Sequence, residues 1–578
     1  MKDLDHEEIS LQTDDSEDSE DSEDSEYLNF FPPHYRIGRS KYIIITGGVM
    51  SGVGKGVFSA SLSHLLQHAG FSVTTMKIDG YLNLDAGTLN PYRHGETFVL
   101  DDGTECDLDL GTYERFLDTT LNNLNYMTSG KIYSRILAKE RRGEYLGRDV
   151  QIVPHVTGEI KDLIRQKAKE TPYDIVLVEI GGTVGDIENL HFIEASRELM
   201  IDEGRENIMF AHVTMVPWAE ASGEQKSKPT QHSVKKLLEM GIQPDIVVCR
   251  SKEPLQRKVR EKISLYCNVP SDHVISNPDT DSIYTLPYLL DQQNLTAITT
   301  SRLRLNMPYP SKESAVIPFA PFVHHTKRRS PMLNIAVAGK YSSMRDSYIS
   351  ITNALEHTEP WEQVHVNLAF IDTTRLDDYD QPVEDALHDA HGIIVPGGYG
   401  LRGTEGMIRC IQYARKQQIP YLGLCLGFQL AAIEFARHVC GLEKATSTEL
   451  DPQTPEPLIA LQPEQEEISD LGGTQRLGGH DVLLKPGTQV HRIYGQDMIH
   501  ERFRHRYELN TAYKEALNEA GLVFCGMTPD HRIMQILSLP SHPFFIATQF
   551  HPELTSRPNR PHPLFHEFVR AAKRYQAF

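Results

Sequence analysis

The sequence predicts an α/β protein of two tandem doubly wound domains. Three observations lead there. Short β-branched apolar runs alternate with segments long enough for crossover helices, as buried parallel strands do. The series lapses once, in a stretch rich in Pro, Ser, Lys and Arg, and then starts again. At 578 residues the chain also exceeds what one hydrophobic core usually organises.

The first series begins at Tyr42 with YIIIT, followed by a Gly-rich turn and an amphipathic segment through His68. FSVTTMKID, DIVLVEIGG, NIMFAHVTMVP and DIVVCR continue it. The second series runs NIAVAGK, VHVNLAFIDT, GIIVPGG, YLGLCLG and FFIATQFHPE. These runs divide the chain into an acidic tail (1–40), a first domain (41–300), a linker (301–330) and a second domain (331–578). In the tail, residues 1–26 carry 13 acidic side chains against one lysine, and SEDSEDSEDSE has nothing large and apolar to bury, so disorder is expected. It reads as a solvating extension, with a basic partner or phosphoserines as the functional alternative. The tail's −12 leaves only about −9 of the net −21 for the rest, and no basic face points to nucleic acid. No apolar run reaches the roughly 18 residues of a membrane span. The start of the chain has no signal-peptide pattern and the seven cysteines form no CxxC pair, so a cytoplasmic protein is expected.

GLCLGFQ places Cys425 after a strand and before a helix, with Gly423 and Gly427 two residues to either side. A sharp strand-to-helix turn needs such small neighbours, and a helix N-terminus favours a thiolate. His551 in QFHPE supplies a base, and Glu553, expected on the same side of an extended segment, orients it. VPGGYG brings backbone amides near Gly398 to face an oxyanion. Cys106, Cys249 and Cys440 are read as buried or incidental. In the first domain TGGVMSGVGKG, containing Ser51, Gly52, Val53, Gly54, Lys55 and Gly56, opens a helix as a P-loop variant. Gly56 stands where a magnesium-binding hydroxyl would, so the metal must find carboxylates, and Asp109 and Glu179 are the candidates. Lys77 closes the next strand and is placed to neutralise a transferring phosphoryl group. Lys226 and Lys228 form a further basic pair in SGEQKSKPTQHS.

The order GG, GxCxG, HPE resembles the class I glutamine amidotransferases, and HGE, DLDLGTYERF, KERRGEYLG, VEIGGTVGDIE and KPTQHS resemble the synthetase domain of the CTP synthase family. The resemblance covers about 530 residues, from Lys41 onward. It implies that ATP phosphorylates O4 of UTP and that ammonia freed from L-glutamine by Cys425, His551 and Glu553 displaces the phosphate to give CTP. By position it assigns the oxyanion and glutamine site to Gly398, Leu426, Gln429, Glu449 and Arg506. ATP falls to residues 51–56, Lys77 and Asp109, and Mg²⁺ to Asp109 and Glu179. UTP or CTP falls to Ser51, Asp186, Ile187, Glu188, Lys226, Lys228, Gln231 and Lys262. It further implies GTP activation through a lid near Tyr399–Gly406 hinged at Gly400 and Gly403, CTP feedback inhibition, and a homotetramer. Against the family pattern, Gly80 and Ala86 replace prolines, and Phe503 replaces a histidine; Gly80 is expected to loosen the loop beside Lys77. Two alternatives stay open: another glutamine-dependent amidoligase, and a catalytically silent filament-forming or regulatory homologue.

Overall fold

The computed structural model describes residues 31–306, 319–341, 344–377, 381–461 and 475–577. The acidic repeat and the middle of the expected linker lie outside them. Among the described residues no helix is long and apolar enough to cross a membrane.

The first sheet is built from β1 (Lys41–Gly47), β2 (Val73–Asp79), β3 (Tyr126–Thr128), β4 (Ile175–Ile180), β5 (Ile208–Met215), β6 (Ile246–Ser251) and β7 (Val274–Pro278). Their order is β7-β6-β5-β1-β4-β2-β3, and every pairing is parallel. Helices cover both faces, because the strands bury side chains on both: Ile43 and Ile45 look to one apolar cluster, Tyr42 and Ile44 to another. Register decides the chemistry at the sheet's C-terminal edge. Lys77 on β2 lies directly opposite Glu179 on β4, and Glu179 opposite Ile45 on β1, so the Gly-rich loop after β1 emerges beside both.

The second sheet contains β8 (Met332–Gly339), β9 (His365–Asp372), β10 (Gly392–Val395), β11 (Tyr421–Leu424), β12 (Arg476–Leu484), β13 (Met498–His505), β14 (Val523–Met527), β15 (Met534–Ser538) and β16 (Phe545–Thr548). It runs β9-β8-β10-β11-β16-β15-β14-β12-β13. The first five strands are parallel, as the sequence predicts; the last four extend the sheet antiparallel. Val395, Gly423 and Ala547 stand in register on β10, β11 and β16, so three adjacent strand ends launch the GGYG loop, Cys425 and the segment to His551.

Two stretches read as unstructured are packed where described. Residues 31–40, assigned to the tail, dock on the first domain: the Arg165 guanidinium lies 4.1 Å from the Phe31 ring centroid, and Tyr35 Oη donates to Glu203 at 2.8 Å. Aromatic side chains supply the burial that the acidic repeat lacks. In the expected linker, a short helix (Ala320–His325) follows Phe319, and Phe319 and Phe322 pack against Phe116 and Tyr284.

The two α/β units meet over polar groups sealed from water. The Glu114 carboxylate, fully buried on the helix Leu108–Leu117, accepts from Arg502 on β13 at 2.8 and 3.0 Å and from Arg557 at 2.8 Å. Arg504, two residues along the same strand, donates to Glu105 at 2.7 Å. Breaking a buried ion pair leaves charge uncompensated and costs about 3–5 kcal/mol. Glu114→Gln is therefore expected to lower the urea midpoint by a loss of that order, with Arg502 and Arg557 both deprived of their anion.

Candidate active sites

Cys425 occupies a backbone conformation, φ 52° and ψ −99°, that L-residues avoid, and the helix Leu426–His438 starts immediately after it. The surroundings leave no room for larger residues: a Cβ on Gly427 would lie 2.2 Å from the Val395 carbonyl oxygen, and one on Gly423 2.8 Å from Ala547 Cβ. The sulfur is nearly enclosed. It donates to the Arg504 carbonyl at 3.5 Å, and Gln549 Nε2 approaches it at 3.8 Å.

His551 Nδ1 and Glu553 Oε1 are 2.6 Å apart. Glu553 reaches the ring from a helical turn, Pro552–Thr555, and not from the extended segment the sequence reading expected; Pro552, with its fixed φ, starts that turn. Nε2, the other ring nitrogen, is buried with no hydrogen-bond partner. Burial opposes charge on the imidazole, but Glu553 and then Cys425 outweigh it and hold its pKa well above the usual histidine value. Gly397 fits against both reacting side chains, since a Cβ there would stand 3.0 Å from His551 Cε1 and 3.5 Å from Cys425 Cβ. Gly398 lies against Leu426, the first helical residue, whose N–H has no intrahelical acceptor.

The remaining residues expected on this side surround the same loop. Gln429 donates to the Tyr507 carbonyl at 3.0 Å. Glu449 accepts from the Gly400 N–H at 2.7 Å; burial raises its pKa, and Lys340 and Arg506 pull it down. Gly400 and Gly403, the expected hinges, both have positive φ, 75° and 78°. The sequence reading missed Lys340. Its ammonium donates to the Tyr399 and Gly400 carbonyls at 2.6 and 2.7 Å and fastens the loop that carries Gly398; burial draws its pKa down to about 8. A lysine closing the strand run NIAVAGK was the available signal. A cavity of about 90 Å³, room for roughly three waters, lies beside the triad and is walled across the interface by Pro91, Glu96 and Thr97.

In the first domain Lys77 Nζ is the hub. It pairs with Asp109, reaches Glu179 at 3.4 Å, and has Asp107 and Asp79 at 3.6 and 3.8 Å. Burial alone would lower its pKa, but four carboxylates raise it well above the usual lysine value. Asp109 and Tyr113, one helical turn apart, point the same way: Tyr113 and Ser59 hydroxyls each donate to Glu179 Oε2 at 2.6 Å. Burial pushes the Glu179 pKa up, whereas Lys77 holds that of Asp109 down. Asp107, which the sequence reading passed over, has its pKa raised by burial to about 8.

The loop Ser51–Gly54 turns through positive φ at Gly52 and Gly54 before the helix Lys55–His68. Lys55 folds back over Gly47 and donates to the Gly182 carbonyl at 2.6 Å. A Cβ on Gly56 would collide with Asp109 Oδ1 at 1.9 Å, so the glycine that removes the P-loop hydroxyl admits a carboxylate in its place. Asp109 and Glu179 thus present hard oxygens toward one ammonium, a donor set that suits Mg²⁺. Asp186 accepts from the Thr183 N–H at 2.7 Å, while Ile187 and Glu188 are exposed. Lys226 and Lys228 are exposed at the start of the helix Lys228–Glu239, and Lys228 lies over the ring of Tyr266, which is one turn from Lys262 on the helix Arg257–Cys267. Gln231 is buried and donates to Ser227 at 3.0 Å.

The departures also find their places. Gly80 does not loosen its loop but packs tightly, since a Cβ would meet Asn189 Oδ1 at 2.4 Å and the Glu188 carbonyl at 3.1 Å. Ala86 is buried. Phe503 is buried against Phe550 and under Arg476. Cys106 and Cys249 are buried, Cys440 partly so.

A cysteine in a strained turn beside a histidine–glutamate pair in one α/β unit and a lysine ringed by carboxylates in the other fit the class of glutamine-hydrolysing ligases. Residues 41–305 match the family described as CTP synthase N-terminus and residues 343–571 that of glutamine amidotransferase class-I. The CTP synthase of Thermococcus kodakarensis is 52% identical over 536 residues, 93% of this chain and 99% of that protein. That of Caldanaerobacter subterraneus is 50% identical over 532 residues, 92% and 98%. The glutaminase domain of Trypanosoma brucei CTPS, solved with bound acivicin, aligns at 35% identity and a TM-score of 0.40 over 42% of this chain and 94% of that one. The chain belongs to the CTP synthase family.

Glu553→Gln keeps the shape but removes the anion that raises the His551 pKa. The imidazolium then gives up its proton at lower pH, and alkylation of Cys425 by iodoacetamide at neutral pH should slow about tenfold, the equivalent of one pKa unit. Lys340→Ala frees the loop beneath Gly398. Steady-state glutamine hydrolysis should drop in kcat by at least about tenfold, up to the roughly 10²–10³ that losing one oxyanion donor costs, with ammonia-dependent turnover unchanged.

Proposed function

We propose that this chain aminates UTP to CTP at the expense of ATP and L-glutamine, with the two sites above dividing the work. The observation that carries the reading is the pairing in one chain of the Cys425–His551–Glu553 arrangement with the Lys77–Asp109–Glu179 cluster.

In the glutaminase site Cys425 attacks the glutamine amide carbon. His551 takes the thiol proton and passes it to the departing ammonia, and Glu553 stabilises the imidazolium between those steps. The Gly398 and Leu426 amides meet the oxyanion, while Glu449 and Arg506, of opposite charge, hold the ammonium and carboxylate of glutamine, with Gln429 beside them. Water then frees glutamate. The cavity wall shared by Cys425 and Glu96 supports an internal transfer of ammonia. Burial lifts the Glu96 pKa to about 7, so near neutrality it carries less negative charge to trap ammonia as ammonium than an exposed carboxylate would.

In the synthetase site the Ser51–Gly56 loop and Lys55 receive the ATP phosphates, and Lys77 exchanges its carboxylates for phosphate oxygens as the phosphoryl group moves to O4 of UTP. Asp109 and Glu179 would hold Mg²⁺, which supplies charge neutralisation to the transferring phosphate. Phosphorylated O4 is a good leaving group where a carbonyl oxygen is not, so ammonia displaces it at C4. Lys226, Lys228, Gln231 and Lys262 bind the UTP phosphates, and Asp186, Ile187 and Glu188 the pyrimidine of UTP or product CTP. We extend the reading to GTP as activator acting on the Tyr399–Gly406 segment, CTP as feedback inhibitor, a homotetramer, and a cytoplasmic setting.

The decisive assay follows CTP absorbance with UTP, ATP, Mg²⁺ and either nitrogen source. Cys425→Ala should abolish the glutamine-dependent rate and keep the ammonium-dependent one. Loss of both would show that the sites are misassigned, and no CTP from the parent enzyme with either source would refute the reaction.

A further inference from the structure

Away from both sites, His325, Glu359 and His365 bring one ligand atom each within 4.8 Å of one another. They come from three elements: His325 ends the helix Ala320–His325, Glu359 sits in the last turn of the helix Ile349–Glu362, and His365 begins the edge strand β9. The cluster lines one wall of a solvent-connected cleft. His325 is 5% exposed, and the Glu359 and His365 side chains 17% and 29%, so the group is sheltered yet reachable.

The spacing is informative. Glu359 Oε2 stands 3.5 Å from His325 Nε2 and 3.4 Å from His365 Nδ1. The His365 contact is a long hydrogen bond, and both distances are close to the about 3.3 Å that separates two ligand atoms on a tetrahedral zinc with bonds of roughly 2.0–2.1 Å. The His365 ring is oriented from behind by Nε2, 3.3 Å from the Arg328 carbonyl, the support that metal-bound histidines usually have. His325 Nε2 lies 3.0 Å from the Val364 carbonyl, so coordination there requires the proton to move to Nδ1.

We propose that His325, Glu359 and His365 form a binding site for a divalent transition-metal ion, zinc by its nitrogen and carboxylate donor set, that ties the segment entering the second domain to the edge of its sheet. Three protein ligands leave a fourth position open toward the cleft.

The test is calorimetric titration of Zn²⁺ into the metal-stripped full chain carrying Cys425→Ala, which removes the competing thiol, in excess Mg²⁺ to fill the oxygen sites. One equivalent should bind, and His365→Ala and the isosteric Glu359→Gln should each weaken that equivalent about 100-fold while circular dichroism stays unchanged. Co²⁺ in the same site should give the visible bands of tetrahedral coordination, absent in both variants. A parent chain that takes up no such equivalent, variants that bind zinc like the parent, or cobalt that stays octahedral would overturn the proposal.

Discussion

The buried carboxylate of Glu114 is the point on which the two halves of the molecule depend. Two arginines from the second unit, Arg502 and Arg557, converge on it at 2.8–3.0 Å in a setting with no water to share the charge. Each partner would be costly to bury alone, so the ion cluster admits one docking arrangement and penalises others. Docking in turn sets the position of β13. Arg504, on the same face of that strand, reaches Glu105 with its guanidinium and offers its carbonyl to Cys425 Sγ and Tyr399 Oη. One strand therefore joins the interdomain contact to Cys425.

The helix Leu108–Leu117 makes the same connection from the other side. Asp109 at its start pairs with Lys77, Tyr113 one turn on bonds Glu179, and Glu114, the next residue, points across the interface. A helix of ten residues thus holds residues of the Lys77 cluster and of the docking cluster on one element. A change at either end has a short mechanical path to the other, in keeping with a reaction in which one site consumes what the other releases. The small cavity beside Cys425 is walled by Arg504 of β13 and by Glu96 and Thr97 of the first unit.

Much of this was legible in the sequence because it is local. The strand runs ending at Asp79, Ile180, Leu424 and Thr548 have buried parallel patterning, and GxCxG forces a tight turn wherever it occurs. Cys425, His551 and Glu553 could be named because each closes or follows such a run. Lys340 showed only as a lysine closing a strand run and Glu114 not at all, since nothing within a few residues says that the one fastens a loop or that the other accepts two arginines from nearly 400 and 450 positions away. The expectation that Gly80 loosens the loop beside Lys77 failed for the same reason: the atoms that fill the space around it belong to residues 188 and 189.

The sequence by itself determined which chemical groups exist and at which strand ends they sit, because alternation, β-branching and glycine spacing act over a few residues. Only the tertiary structure decided which ends become neighbours. Parallel register placed Lys77 opposite Glu179 and aligned Val395, Gly423 and Ala547. Burial then pushed the pKa values of Asp107 and Glu179 up, while Lys77 held that of Asp109 down. Desolvation and the Coulomb field depend on where distant segments pack, and no local pattern encodes that.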